Sequence, residues 1–145
     1  MFIDPRKVNF TDIVTMTQTV FGEARGEGRE GRIAVANVIL NRHKRAKTRK
    51  QFGGETIESV CLAPLQFSCW NKTDINYAII NEVDFVTNKS FLECLTIVFG
   101  VLTGKIKDNT GGADHYYACT IKAPPDWSKA GFDKTVIGNH VFMKA

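Results

Sequence analysis

The chain has 145 residues, of which 43% are hydrophobic and 23% are charged. This composition is typical of one globular domain and excludes a disordered or fibrous protein. The net charge of +4 favours anionic polymers or surfaces as partners without selecting one of them.

Two helices separated by glycines are predicted at the start of the chain. Hydrophobic residues recur at helical spacing over residues 10–24, and Asn9 or Thr11 can cap this first helix. A second helix is predicted over residues 29–45. Its middle part contains only one polar residue, Asn37, so we expect this helix to be covered on most sides and to lie at the centre of the domain.

The segment RHKRAKTRK, residues 42–50, concentrates positive charge. No aromatic residue is interleaved there as a platform for nucleotide bases, so nucleic acid is not an expected partner. We interpret this segment as a solvated, mobile face.

Further helices and a small β element follow. Residues 63–71 are predicted to form a loop rich in aromatic and hydroxyl groups. The predicted helices are a short one over 55–62, one over 75–85 capped by Asp74, and one over 91–104 capped by Ser90 and ended by Gly104. Residues 115–119 and 135–143 are strand-like, with Gly138-Asn139 as a two-residue hairpin turn. The predicted fold class is α+β, mainly helical, with a small C-terminal β element.

Neither an export signal nor a membrane anchor is predicted. The first ten residues lack a basic region followed by a hydrophobic run. The longest hydrophobic stretch, residues 91–102, is too short to span a bilayer and carries Glu93. No stable membrane insertion is therefore expected.

The cysteines at 61, 69, 94 and 119 contain no CxxC pair, and the three histidines are scattered. This spacing predicts no metal site and no cofactor. We expect reduced thiols packed as small apolar side chains. A bridge between Cys61 and Cys69 is the alternative in an oxidising compartment.

Glu23 lies in the last turn of the first predicted helix. A carboxylic acid that donates a proton near neutral pH needs a raised pKa, and apolar surroundings provide it because they disfavour the ionised form. The glycines Gly22 and Gly26 would leave room for a ligand beside it. The alternative is that Glu23 and Glu27 pair with surface cations such as Arg25, and that the glycines only turn the chain.

Six blocks of sequence carry a family resemblance. They are VFGEARGE (20–27), GRIAVANVILNR (31–42), QFSCW (66–70), GADHYYA (112–118), PPDW (124–127) and IGNHVF (137–142). In this order they resemble the SleB-type cell wall hydrolase family, which includes spore cortex-lytic enzymes and phage endolysins. The resemblance implies a lysozyme-like or lytic-transglycosylase-like domain, with residues 1–145 as a single catalytic domain.

The resemblance also implies the reaction. The family cleaves the glycan strands of peptidoglycan between N-acetylmuramic acid and N-acetylglucosamine, and its catalytic glutamate corresponds to Glu23. A lytic transglycosylase needs this acid alone, whereas a hydrolytic muramidase needs a second carboxylate, for which Glu27 is the candidate. A zinc amidase built on His115, Cys119 and His140 is a weaker rival. A non-enzymatic wall-binding module is another.

Several residues are candidates for substrate binding, each with a structural alternative. Gln66 and Ser68 can bond to the polar groups of N-acetyl sugars, and aromatic rings can stack on a sugar face or belong to the core. Only one of the adjacent tyrosines of the DHYYA segment can point into a cleft, since strand neighbours face opposite sides. The candidates are Gln66, Phe67, Ser68, Trp70, His115, Tyr116, Asn139 and His140. Trp127 is expected to anchor a loop.

The biological setting expected from the resemblance and the missing signal is that of a phage endolysin. Such a protein is a monomer made in the host cytoplasm, and it acts on peptidoglycan in the periplasm once the membrane is permeabilised.

Overall fold

A buried central helix organises the fold. The structure is a computed structural model that describes residues 8–145, so most of the N-terminal stretch interpreted as lacking an export signal lies outside the described residues. Helix α2 spans Arg29–Arg45, and every residue from 31 to 42 is buried, as predicted. Helix α1, Phe10–Ala24, packs against it.

Helix α1 begins at a capping box. The side chain of Asn9 accepts a hydrogen bond from the backbone N–H of Asp12, and the Asp12 carboxylate accepts one from the N–H of Asn9. The second oxygen of Asp12 accepts a hydrogen bond at 3.0 Å from the N–H of Glu58. Asp12 therefore also holds the start of helix α3, Ile57–Cys61.

The last two helices have boundaries that differ from the prediction. Helix α4, Ile75–Glu82, is capped by Asp74 as predicted. It ends three residues early, because the Asp84 side chain accepts hydrogen bonds from the next backbone N–H groups and forms a turn.

Helix α5, Lys89–Leu102, begins at Asn88 rather than at the predicted cap Ser90. The side chain of Asn88 accepts a hydrogen bond from the N–H of Phe91 at 3.0 Å, so Ser90 lies inside the first turn. Gly104 follows the helix with a φ of 76°, which glycine adopts without strain.

The β element is a three-stranded antiparallel sheet in the order β1-β3-β2. Strand β1 is His115–Ala118, β2 is Phe132–Ile137 and β3 is His140–Lys144. Gly138 and Asn139 form the predicted hairpin turn, although β2 starts three residues earlier than expected. Short 3-10 turns occur at Lys50–Phe52, Ser68–Trp70 and Asp126–Lys129.

The basic segment 42–50 is not the mobile face that its composition suggested. Arg42 is only 4% exposed, and Arg45 pairs with the buried Asp114 at 2.8 Å. Arg49 donates to the carbonyl of Ala145 at 2.9 Å. Three arginines of the segment thus have structural partners, which a count of charges cannot reveal.

The four cysteines are free thiols, so Cys61 and Cys69 form no bridge. Cys61, Cys69 and Cys94 are buried, and burial raises the pKa of Cys61 to about 12 and that of Cys94 to about 11. Within residues 8–145, no helix combines the length and the apolar character needed to cross a membrane.

Asp114 joins the sheet to the central helix. One carboxylate oxygen lies 2.8 Å from His115 Nδ1 and 2.9 Å from the backbone nitrogen of Ala145, and the other accepts from Arg45. Burial alone would raise the pKa of Asp114, but the hydrogen bonds from His115 and Ala145, together with the charges of His115 and Arg45, lower it below 3.8.

We predict that Asp114→Asn lowers the free energy of unfolding by about 2 kcal/mol at pH 7, because charge-assisted hydrogen bonds are lost. Since the folded state has the lower pKa, this contribution is present above pH 3.8 and is lost as the pH falls through the folded-state value. Urea unfolding across this range measures it. Asp133→Asn, which removes an exposed partner of Lys144, is the control and should have little effect. An Asp114→Asn deficit that persists at low pH would contradict the assignment.

Candidate active site

The C-terminal end of α1 is built to present Glu23. Arg32 of α2 is buried, and its guanidinium donates to the carbonyls of Ala24 at 3.3 Å and Arg25 at 2.6 Å. These carbonyls would otherwise lack partners at the helix end. The last turn of α1 is therefore fixed against α2, and Glu23 with it.

Glu23 lies in a largely buried environment between two later segments of the chain. Burial is the main reason why its pKa is raised above the usual 4.5, and the charge of Asp74 acts in the same direction. The backbone N–H and thiol of Cys69 and the charge of Arg42 oppose this shift. Because the net shift is upward, the carboxyl group suits a general acid.

The buried Arg42 connects the surroundings of Glu23. Its Nε donates at 2.7 Å to the carbonyl of Asp114, and its Nη1 lies 3.4 Å from Gln66 Oε1. The guanidinium carbon is 4.6 Å from the centre of the Phe67 ring and 5.3 Å from that of Phe52. Arg42 was not among the predicted site residues, although the quoted block ending in NR contains it.

Tyr116 of β1 approaches Glu23 from the sheet. Burial, together with the charge of the nearby Glu23 carboxyl, raises the pKa of the Tyr116 hydroxyl well above 10. Its ring packs edge-on against His140, with the ring centres 5.4 Å apart, and lies tilted against Phe142 at 5.3 Å. Tyr117, on the other face, packs near Trp127 at 6.2 Å.

Comparison with known proteins assigns the chain to a family. A family model described as Cell Wall Hydrolase matches residues 26–143. The spore cortex-lytic enzyme of Halalkalibacterium halodurans is 30% identical over 139 residues, or 95% of this chain. The chain spans only 36% of the length of that relative.

The chain belongs to the cell wall hydrolase family. Its fold matches the catalytic domain of the germination-specific lytic transglycosylase SleB from Bacillus anthracis, with a TM-score of 0.69 and 27% identity over 97% of this chain and all of the other. The catalytic domain of the Bacillus cereus SleB protein gives a TM-score of 0.70 and 28% identity, covering 97% and 94%. The predicted SleB-type resemblance and the mainly helical, lysozyme-like α+β fold are confirmed. Glu23 lies three residues before the region matched by the family model.

Glu27 of this cell wall hydrolase is engaged by the β2–β3 hairpin. Its Oε1 lies 2.7 Å from His140 Nδ1, and its side chain is only 10% exposed. Asn139 Nδ2 lies 3.5 Å from the other oxygen. These contacts correspond to the hairpin network that was the alternative for Asn139 and His140, and they replace the expected pairing of Glu27 with surface cations.

The QFSCW segment contains both side chains that pack inside the protein and side chains that solvent can reach. Phe67 is 2% exposed and covers Arg42, which corrects the expectation of a ring that stacks on a sugar. Trp70 is half-buried and donates from Nε1 to Thr19 Oγ1 at 3.0 Å. Gln66 is half-buried and Ser68 is exposed, so these two retain polar groups that a ligand can reach.

His115 is held in place by its neighbours. Its ring lies between Phe52, at 5.6 Å, and Trp127, at 4.8 Å, while Nδ1 faces Asp114. Trp127 thus packs on the sheet as a loop anchor. In the part of the chain that the structure describes, no group of three His, Cys, Asp or Glu residues could hold a metal ion, so His115, Cys119 and His140 do not form the ligand set that a zinc amidase needs.

The glycines beside Glu23 have different roles. A Cβ at Gly22 would lie 2.8 Å from Cys69 Cβ and 3.0 Å from Ile80 Cγ2, whereas a Cβ at Gly26 would have no atom within 4 Å. The expectation that Gly22 leaves room for a sugar is therefore corrected, because the Cys69 loop and α4 fill that space. Gly26 faces open space.

We predict that Gly22→Ala lowers the free energy of unfolding by about 1–3 kcal/mol, as overpacking does, and lowers turnover because the Cys69 loop is pushed away from Glu23. Gly26→Ala is the matched control and should leave both quantities unchanged. Chemical denaturation and release of soluble fragments from purified cell walls measure the two effects. Wild-type stability and activity in Gly22→Ala would disprove this close packing.

Proposed function

We propose that this chain is a lytic transglycosylase that cleaves peptidoglycan glycan strands between N-acetylmuramic acid and N-acetylglucosamine, with Glu23 as its single acid and base. The observation that carries the proposal is the half-buried Glu23 in the last turn of α1, whose surroundings raise the pKa of its carboxyl. The likeness to a SleB catalytic domain described as a lytic transglycosylase supports the same reaction.

In the reaction, Glu23 first donates one proton and then accepts one. The Glu23 carboxyl gives its proton to the glycosidic oxygen as the bond from that oxygen to C1 of N-acetylmuramic acid breaks. The C6 hydroxyl oxygen of the same sugar then bonds to C1, and its proton passes to the Glu23 carboxylate. The product is a 1,6-anhydro sugar, and the acid is regenerated without water.

The contacts of Glu27 support a mechanism with one carboxylate. Hydrolytic glycosidases use a second carboxylate as base or nucleophile. Both oxygens of Glu27 face the hairpin residues His140 and Asn139. A carboxylate held in this way serves the structure of the loop, and activation of water would require it to leave its partners.

We predict that Glu23→Gln keeps the fold and lowers the release of glycan fragments by at least about 100-fold, since a positioned general acid contributes at least that much. In the wild type, turnover should fall as the pH rises through the raised pKa of Glu23, because the ionised acid cannot donate. Circular dichroism serves as the control for folding. Substantial lysis by a folded Glu23→Gln sample would contradict the assignment.

Mass spectrometry of the wild-type digest identifies the products. An anhydro end is about 18 Da lighter than a hydrolysed end, because no water is added in the acid–base step. Reducing ends in place of anhydro ends would favour the muramidase.

Hydrolysis is the second candidate because another carboxylate lies near the acid. The charge of Asp74 raises the pKa of Glu23, although sequence analysis assigned Asp74 only to the cap of α4. One of its oxygens accepts from the N–H of Asn76 at 2.8 Å, and its residue is half-buried. Asp74 is thus a better placed second carboxylate than Glu27.

Asp74→Asn separates the two mechanisms, since asparagine caps a helix as well as aspartate does. If Asp74 acts only through its charge, we predict an active variant whose alkaline activity limb moves to lower pH, because the pKa of Glu23 falls. A loss of activity comparable to that of Glu23→Gln, with the fold retained, would instead assign a catalytic role to Asp74. The pH–rate profile and a thermal melt are the measurements.

The setting in which the enzyme acts belongs to the same proposal. We extend it to a monomeric, single-domain phage endolysin that reaches peptidoglycan in the periplasm, with Gln66 and Ser68 as contacts to the glycan. The Halalkalibacterium halodurans relative named above is a spore cortex-lytic enzyme. Lysis of permeabilised Gram-negative cells without action on spore cortex supports the endolysin, and the reverse result supports a cortex enzyme.

A further inference from the structure

An exposed leucine occupies a backbone conformation that leucine rarely adopts. Residues 63–66 form a tight turn in which the N–H of Gln66 donates to the carbonyl of Ala63 at 3.2 Å. Leu65 has a φ of 64° and follows a proline, as the third residue of a type II turn does. That position is normally taken by glycine or asparagine, because a Cβ is strained there.

The leucine side chain gains nothing from the fold in return. Leu65 is 89% exposed, so it contributes no burial to the core that could offset the strain. A strained residue without structural benefit is a reason to look for a function. The sequence offers the contrast of Gly138, where a glycine takes the positive φ of the hairpin turn.

The turn is connected to the surroundings of the proposed acid through Arg42. Ala63 and Phe67 are buried on either side of it. Gln66 accepts hydrogen bonds from Arg42 through both its carbonyl and its side chain. Cys69, whose backbone N–H opposes the upward shift of the Glu23 pKa, follows only four residues later, within roughly 13 Å along the chain.

We propose that Leu65 is a substrate-contacting residue that packs against the acyl methyl groups of the N-acetyl sugars bound beside Glu23. The inference rests on the proposed function, because it takes the glycan strand as the ligand. An apolar side chain fixed on a rigid turn covers such a methyl group without loss of loop entropy on binding. The neighbouring Gln66 and Ser68 provide polar groups for the same sugar.

The decisive variant is Leu65→Gly, because glycine suits the turn and removes the contact. We expect a melting temperature equal to or higher than that of the wild type, an unchanged kcat, and a KM for soluble peptidoglycan glycan oligosaccharides raised about three- to tenfold, as partial burial of a leucine implies. Leu65→Met keeps an apolar side chain and should restore the wild-type KM. Leu65→Asn tolerates the backbone but is polar, and should resemble the glycine variant.

Two further measurements make the outcome unambiguous. Titration of the same oligosaccharides into Glu23→Gln and into Glu23→Gln with Leu65→Gly should show weaker binding only for the second protein. Val86→Ala removes another highly exposed apolar side chain, from the loop between α4 and α5, and should leave KM unchanged. A purely structural role for Leu65 would change stability without changing KM.

Failure of this inference differs from failure of the proposed function. A wild type that releases no glycan fragments overturns the proposed function. A wild type that cleaves the oligosaccharides, with Leu65→Gly giving the same KM and affinity, overturns the role of Leu65 alone.

Discussion

The site depends on the hydrogen bonds of the buried Arg42 guanidinium. Burying a charge costs several kcal/mol unless hydrogen bonds and neighbouring groups compensate for the lost water. Here the carbonyl of Asp114 and the Gln66 side chain accept hydrogen bonds from the guanidinium, and the rings of Phe52 and Phe67 lie against it. Because Arg42 belongs to the buried central helix, these distant segments are anchored to the core of the fold.

The same cation limits how far the pKa of Glu23 is raised. Burial and the Asp74 charge favour the protonated form of Glu23, whereas the Cys69 N–H and Arg42 favour the carboxylate. A group that first donates a proton and then accepts one must reach both states. The surroundings of Glu23 therefore contain what each half of the proposed cycle requires: apolar cover before proton transfer, and a donor and a cation afterwards.

Local sequence signals predicted the parts of the fold that depend on local physics. The bounds of α1 and α2, the Asp74 cap and the Gly138-Asn139 turn follow from periodicity and capping chemistry. The site depends on contacts between residues far apart, such as the bond from Arg42 to Asp114 across 72 positions. Neither composition nor spacing encodes such pairs, so the sequence alone predicts a solvated face for the basic segment. Family resemblance, rather than spacing, singled out Glu23.

Glu27 is a carboxylate near the proposed acid in sequence, yet its contacts hold the hairpin in place. Four residues beyond Glu23, it leaves the helix end and joins His140, while a Cβ at Gly138 would lie 2.7 Å from its Oε2. The turn glycine thus satisfies both a positive φ and a close approach to the carboxylate. His140 in turn packs on Tyr116, which faces Glu23. The position of the hairpin is therefore linked to the acid through the Glu27–His140 contact and one aromatic contact, so that the sheet and the helices complete the site together.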